Sequence, residues 1–301
     1  QESFDAVQIA GSNGKGSTAR MLDAVLGETD RRVGLYTSPH LADLRERVRV
    51  DGRMVTETAV AEFVEAVRPY VVRQAAAGEP VTFFEVTTAL ALWWFDRADV
   101  DVAVLEVGLG GEYDATSAVD PVAAAVTNVS LEHTSVLGDT VEEIAETKAR
   151  IAPPDAPLVT AALGAALDAV RGTAGAVVTV GDEGSGADVE TRYDGRVTTG
   201  ESAVAARGRD WAVETRVPLL GPYQARNVGV AAALARQVAG VDEATLARGF
   251  RSAHWPGRME VVERDPTVVL DGAHNPGACE TVAGVLSEFS FDRLHLVFGA
   301  M

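Results

Sequence analysis

The sequence predicts an α/β fold built on a mostly parallel sheet with a phosphate loop, and three observations carry that expectation. AVQIAGSNGKGSTARMLDAVLG, residues 6–27, is an apolar run that breaks into a glycine-rich turn and resumes with helical periodicity, so it reads as strand, loop and helix. Further apolar runs, RRVGLYTSPHL, DVDVAVLEVGLGG, PVAAAVTNVSLEHTSVLG and PTVVLDGAHNP, end in small or polar residues. Helical patterns such as TETAVAEFVEAVRPYV and EVTTALALWWFDRA often separate them, the signature of parallel strands joined by crossovers. From about 177 to 218 the texture changes to short alternating runs with glycine and aspartate turns. This reads as a small antiparallel sheet, with Tyr193-Asp194-Gly195-Arg196 as a hairpin turn.

The loop is the first element with chemistry in it. Gly11, Gly14 and Gly16 free the backbone of Cβ atoms, so successive N–H groups can converge on an anion at the positive end of the following helix. Lys15 supplies a compact charge, and Ser17 or Thr18 a hydroxyl for Mg²⁺. The spacing departs from G-x-x-x-x-G-K-[ST]: two residues separate Gly11 from Gly14, and Gly16 intervenes between Lys15 and Ser17. Ligands of open α/β sheets bind outside the carboxyl ends of the strands. The strand ends at Ser38 and His40, Glu106, His133, and Asp271, His274 and Asn275 therefore form one candidate crevice with the loop. Trp93, Trp94 and Phe95 read as core.

After the antiparallel segment, GPYQARNVGVAAALARQVAG returns to helix, and SAHWPGRMEVVE, with Pro256 and Gly257, reads as a linker. TVVLDGAHNPGACETVAGVLSEF and LHLVFGAM then read as strand, helix and strand. The expected organisation is a central nucleotide-binding domain over residues 1–256, with the insertion at about 177–218. Residues 257–301 begin a Rossmann-like C-terminal domain that stops before it could close a core.

Composition bounds the function. The chain has 301 residues and 47% hydrophobic content without an apolar run long enough to span a bilayer, so a soluble globular protein is expected, with no membrane partner. A net charge of −18 argues against nucleic acid, because condensed counterions are displaced only by a basic surface. The single cysteine, Cys279, excludes an intrachain disulfide and reads as a small buried hydrophobe, which fits a reducing cytoplasm. Lys15 and Lys148 are the only lysines among 26 basic residues. Acid excess and scarce lysine point to a halophilic cytoplasm, while a GC-rich genome would also favour arginine. Where arginine serves almost everywhere, a surviving lysine marks a place where guanidinium will not do.

Eight segments taken together, AGSNGKGST, LYTSPHL, FFEVTTALA, LEVGLGGEYDATS, LEHTSVLG, ETKARI, HWPGR and LDGAHNP, resemble in order and spacing the folylpolyglutamate synthase and dihydrofolate synthase family, a branch of the Mur-type amide ligases. The glycine after Lys15 separates the loop from that of the Mur enzymes proper. The resemblance implies a Mur-ligase-type ATPase domain with Asn13, Gly14, Lys15, Gly16, Ser17 and Thr18 cradling the triphosphate. It implies Asn227, Arg258, Asp271 and His274 as further ATP contacts, and Ser17, Ser38, Glu106 and His133 as ligands of two Mg²⁺ ions. Lys148 falls where the family carries a lysine carbamylated by CO₂; the alternative reading is an ordinary helix-surface lysine. Thr82, Phe83, Phe84 and Glu85, with Tyr113, Asp114 and Ala115, match pterin-side segments, where aromatic faces stack on the ring and a carboxylate accepts its N–H donors. Glu112, Ser117, Glu132 and Arg150 depart from residues common in relatives (arginine, asparagine, aspartate and glycine).

The implied activity is that of an ATP-dependent ligase of folate biosynthesis and one-carbon metabolism. It transfers a phosphoryl group to a folate or dihydropteroate carboxylate, and L-glutamate then attacks the acyl phosphate, with Lys15, Lys148 and His133 as the catalytic set. A monomer acting on small molecules is expected. The rivals are a Mur-type ligase acting on another carboxylate and a phosphate-loop NTPase that switches a partner.

Overall fold

The computed structural model describes residues 3–299. Its strands are β1 (Asp5–Ala10), β2 (Val33–Tyr36), β3 (Val48–Val50), β4 (Arg53–Met54), β5 (Val102–Glu106), β6 (Pro121–Val126), β7 (Leu158–Thr160), β8 (Val177–Asp182), β9 (Val189–Thr198), β10 (Glu201–Arg207), β11 (Ala212–Val217), β12 (Glu260–Arg264) and β13 (Thr267–Leu270). The helices are α1 (Lys15–Leu26), α2 (Glu57–Ala76), α3 (Phe83–Arg97), α4 (Thr134–Leu137), α5 (Val141–Ala149), α6 (Gly164–Ala174), α7 (Tyr223–Ala239), α8 (Glu243–Ser252) and α9 (Pro276–Leu286). The first eleven strands form one sheet in the order β11-β10-β9-β8-β7-β6-β1-β5-β2-β3-β4. Pairing is parallel from β2 across to β9 and antiparallel at both edges.

Alternation along the central strands explains the layers. On β1, Val7 and Ile9 face one core with α1, α7 and α8, while Ala6 and Ala10 face the other side, where α2, α3, α5 and α6 pack. Gly249 on α8 marks the closest helix approach: a Cβ there would lie 2.4 Å from Val25 Cα, so only glycine lets α8 rest on α1. Thr56, Thr82 and Thr140 each cap their helix by accepting the N–H three residues on. Phe95 is fully buried, but Trp93 and Trp94 are only half-buried; Trp93 lies against Phe63, 5.5 Å between ring centroids.

The expected antiparallel sheet is present as β9–β11, joined to the parallel sheet through β8. Its turn is elsewhere than expected. Tyr193 to Arg196 lie inside β9, where the register shifts opposite Ala203 and Val204 and Gly195 takes φ 97°, so the Asp-Gly pair makes a bulge and the chain reverses at Thr199 and Gly200.

Residues after the linker form the β12–β13 hairpin and α9. Leu220 and Tyr223 of the main body meet Met259, Val261, Val285 and Phe289 there in a small apolar cluster. LHLVFG forms no strand: no neighbouring strand pairs with it among the described residues, and Leu296, Val297 and Phe298 are exposed. Cys279 is exposed on α9 rather than buried.

Candidate active site

The loop after β1 is held by the end of β6. The Thr127 hydroxyl donates to the Asn13 carbonyl at 2.7 Å, Asn13 N–H donates to Asn128 Oδ1 at 2.9 Å, and Ser12 Oγ accepts Ser130 N–H at 2.9 Å. Gly11 (φ 142°) and Gly14 (φ 86°) adopt backbone conformations that disfavour side chains, and a Cβ on Gly14 would lie 2.6 Å from Asn227 Oδ1. Gly14 is the N-cap of α1 with no side-chain cap, and no acidic residue occupies the first turn, so the positive helix end is left open to an anion. Lys15 Nζ bends back to the Gly11 carbonyl at 2.8 Å and the Ser12 carbonyl at 3.3 Å.

Register then brings in Glu106. It sits opposite Ile9 across the β1–β5 ladder, level with the start of the loop, and Ser38 N–H, just beyond β2, donates to Glu106 Oε2 at 2.9 Å. Burial pushes the Glu106 carboxyl above its ordinary range; Lys15, the Ser38 N–H and Arg258 act in the opposite direction. The extra glycine of the loop has a reason here. A Cβ on Gly16 would meet Trp255 Nε1 at 3.2 Å and Glu106 Oε2 at 3.4 Å. Ser17 is buried behind it, and so is Thr18, whose Oγ1 lacks a hydrogen-bond partner.

Lys148, on the last turn of α5, is buried. Its Nζ lies 2.8 Å from Glu132 Oε1 and 3.3 Å from the Gly11 carbonyl, so the helix-surface alternative does not describe it. Burial pushes its amine below the ordinary lysine range against the opposing Glu132 charge. His133, exposed and at φ 46°, precedes α4 and borders the same cleft.

The cleft, about 320 Å³, is closed on its far side by the second unit: Arg258, Asp271, Ala273 and His274 line it opposite the loop, with Tyr223 and Asn227 of α7 between. Asp271 accepts N–H bonds from Met259 (2.8 Å) and Ala273 (2.7 Å), which shapes the turn carrying His274. Asn275 bridges the two units, its Nδ2 donating to Asn13 Oδ1 at 3.2 Å.

Of the pterin-side residues, Phe84 and Asp114 meet at Gly108, and the set divides by role. Phe84 packs on Tyr36, 5.9 Å between centroids, and fills the space a Cβ on Gly108 would need; Phe83 and Tyr113 are exposed. The carboxylates are also engaged within the protein. Glu85 Oε2 accepts Thr82 N–H and Oγ1–H, both at 2.7 Å, capping α3. Asp114 accepts Gly108 and Leu109 N–H together with Thr116 N–H and Oγ1–H, fixing the loop that ends in the turn at Ala115. Glu112 and Arg150, two departures from the family pattern, pair with each other at 3.0 Å.

Among the described residues no group of three or more His, Cys, Asp or Glu is placed to hold a metal by itself. A cation here would rest on one buried carboxylate, hydroxyls, His133 and the oxygens of a bound phosphate, a donor set that suits Mg²⁺. Sequence reasoning passed over Thr127, Asn128, Ser130 and Trp255. The polar TNVS run directly after an apolar strand was the available signal for the first three.

Residues 9–235 match the model of the Mur ligase middle domain, and residues 257–301 that of the Mur ligase glutamate ligase domain. The chain is 34% identical to folylpolyglutamate synthase of Lacticaseibacillus casei, covering 98% of this chain and 71% of that one. It belongs to the folylpolyglutamate synthase family of Mur ligases. A family structure described as an FPGS-AMPPCP-folate complex superposes with a TM-score of 0.87 at 33% identity, over 96% of this chain and 72% of that one. A Haloferax volcanii protein named probable bifunctional folylpolyglutamate synthase/dihydropteroate synthase is 63% identical over all of this chain, which spans 36% of its length. No helix among the described residues is long and apolar enough to cross a membrane.

Proposed function

We propose that the chain is the nucleotide-binding part of an ATP-dependent ligase that adds L-glutamate to the carboxylate of a folate or of dihydropteroate. The observation that carries this reading is that the phosphate loop and the buried Glu106 face Arg258 and Asp271 of the second unit across one cleft. The loop N–H groups and Lys15 hold the β- and γ-phosphates, Arg258 reaches the γ-phosphate, and Asn227 and His274 border the rest of the nucleotide. An acceptor carboxylate oxygen attacks the γ-phosphorus. That O–P bond forms as the bond to the β-phosphate oxygen breaks, and ADP leaves. The amine of glutamate then attacks the acyl carbon, phosphate departs, the amine loses a proton and an amide remains. Ser17, Ser38, Glu106 and His133 would hold Mg²⁺, two ions in this reading, which when bound neutralises charge on the transferring phosphoryl group.

Lys148 is the residue we assign to carbamylation. The free-base amine that burial favours adds to CO₂, giving a carbamate and one proton, and the new anion turns from Glu132 towards the cations of the cleft. A phosphate-loop switch would need no such lysine. The pairing of folylpolyglutamate synthase with dihydropteroate synthase in the name of the Haloferax relative supports dihydropteroate as one acceptor, since that second activity makes the acid this one would consume. The reading places the protein in the cytoplasm as a monomer.

Lys15→Ala tests the nucleotide site. Losing a charge-assisted contact to the transferring phosphate costs about 3 kcal/mol or more, so turnover should fall by at least two orders of magnitude. Near-normal turnover in that variant contradicts the assignment.

A further inference from the structure

Two cations are buried among the described residues, Lys148 and Arg47. Lys148 faces Glu132. Arg47, the last residue of a short 3₁₀ turn before β3, makes no ion pair among the described residues, although the buried Glu106 carboxylate feels its charge. Its Nε donates to His40 Nδ1 at 2.8 Å, and its guanidinium lies over the Phe83 ring, 5.1 Å from the centroid. In a chain with 44 acidic and 26 basic residues, a buried guanidinium with no acid in ion-pair contact keeps its fork open to an anion, because arginine does not shed its proton. His40 does not supply that anion. Its Nδ1 is engaged as an acceptor and it offers no negative charge.

Place in the sheet says what the charge is for. Across the strand ends the order is the loop after β1, then Glu106 on β5, Ser38 after β2, and Arg47 before β3. Arg47 is fixed there by its carbonyl, which accepts Thr37 N–H at 3.0 Å. The transferring phosphate belongs at the loop end of that row, with Lys15 and Arg258. Arg47 stands at the other end, its two terminal nitrogens left for a ligand and its plane on a ring that is 59% exposed. An aromatic shelf with a planar fork suits a carboxylate attached to an aromatic or extended acceptor.

Resting on the reading of this cleft as a glutamate ligase, we propose that Arg47, seated on Phe83 and aligned by His40, binds the α-carboxylate of a glutamyl-terminated acceptor while the side-chain carboxylate reacts at the loop. Arg47 thereby sets the preference for glutamyl folates over pteroates, which lack that second carboxylate.

The test is equilibrium binding to the full-length protein with a non-hydrolysable ATP analogue, comparing a reduced pteroyl-glutamate with the matching pteroate. Arg47→Met should weaken the glutamyl ligand roughly thirtyfold or more and the pteroate by less than about threefold, as expected for removing one partner of a buried charge pair. Arg47→Lys should recover only part of the loss, because it keeps the charge without the fork. Phe83→Leu, which leaves the guanidinium in place without its shelf, should weaken the glutamyl ligand by less than Arg47→Met does. Equal weakening of both ligands, or weakening of neither, overturns the assignment. Wild-type protein that binds the nucleotide analogue but neither pterin overturns the ligase reading itself.

Discussion

Lys148 is the residue at which the chemistry is most exposed to test. Its amine is buried against Glu132 and the Gly11 carbonyl, so an uncharged spacer leaves a hole lined by an acid and by the back of the phosphate loop. If the working form is a carbamate, Lys148→Ala should be nearly inactive and should recover partly when a short carboxylic acid is supplied, because the acid can take the vacated space and restore the anion. Lys148→Arg should show no such recovery, since it keeps the cation and fills the cavity. Added bicarbonate should raise the rate of CO₂-depleted wild-type protein. Wild-type rates in the alanine variant would make Lys148 a structural ion-pair partner only. The sequence could mark this lysine as unusual by its rarity. It could not show its burial, because Glu132 lies 16 positions away and Gly11 137 positions away.

At the scale of elements, the loop glycine Gly16 separates packing from function. Its absent Cβ leaves just enough room for Trp255 and Glu106, so Gly16→Ala should fold with a stability change of about 1 kcal/mol or less while weakening nucleotide binding in Mg²⁺. Unchanged nucleotide affinity would remove the loop's extra glycine from the account. A second element-level test is Asp188, which ties β9 to β8 by accepting Thr179 N–H at 2.8 Å and Oγ1–H at 2.7 Å. The Thr179 N–H holds this carboxyl below its ordinary value of 3.8. Its contribution is therefore complete above that pH and is lost as acid takes the folded group through its lower value. Asp188→Ala should cost roughly 1 kcal/mol near neutral pH, with the difference from wild type shrinking in acid, as chemical denaturation would read. A difference that grows in acid contradicts this.

The elements also show what local sequence can and cannot reveal. The strand that ends at Glu106 and the threonine-capped helices were legible because their signals lie within a few residues. The hairpin turn was misplaced because Asp194-Gly195 is a good turn pair locally. Tyr193 is instead held in strand by a contact 95 positions away, its hydroxyl donating to Glu288 Oε2 at 2.6 Å. Thr82-Phe83-Phe84-Glu85 carried a capping-box spacing that accounts for Glu85 without any ligand.

For the whole molecule, polar and ring contacts join the main body to the second unit beyond the apolar cluster around Leu220. Tyr193 and Arg196 of β9 hold Glu288, with the Arg196 guanidinium 4.0 Å from the Phe289 centroid, and Asn275 reaches Asn13. A net charge of −18 also sets the molecule against itself at low ionic strength. Melting temperature should rise as monovalent salt is increased from about 0.1 M to about 1 M, where the screening length falls from roughly 10 Å to roughly 3 Å; a flat or falling curve would mean the acidic surface carries no folding penalty.

The central claim is that one cleft couples ATP cleavage to amide formation. The most direct measurement is phosphate release by the full-length protein with ATP and Mg²⁺, with the pterin acid and L-glutamate added singly and together. The account predicts sustained release only when both are present, matched mole for mole by glutamate joined to the pterin acid. Release that proceeds at the same rate without either substrate, or with no glutamate incorporated, would contradict it.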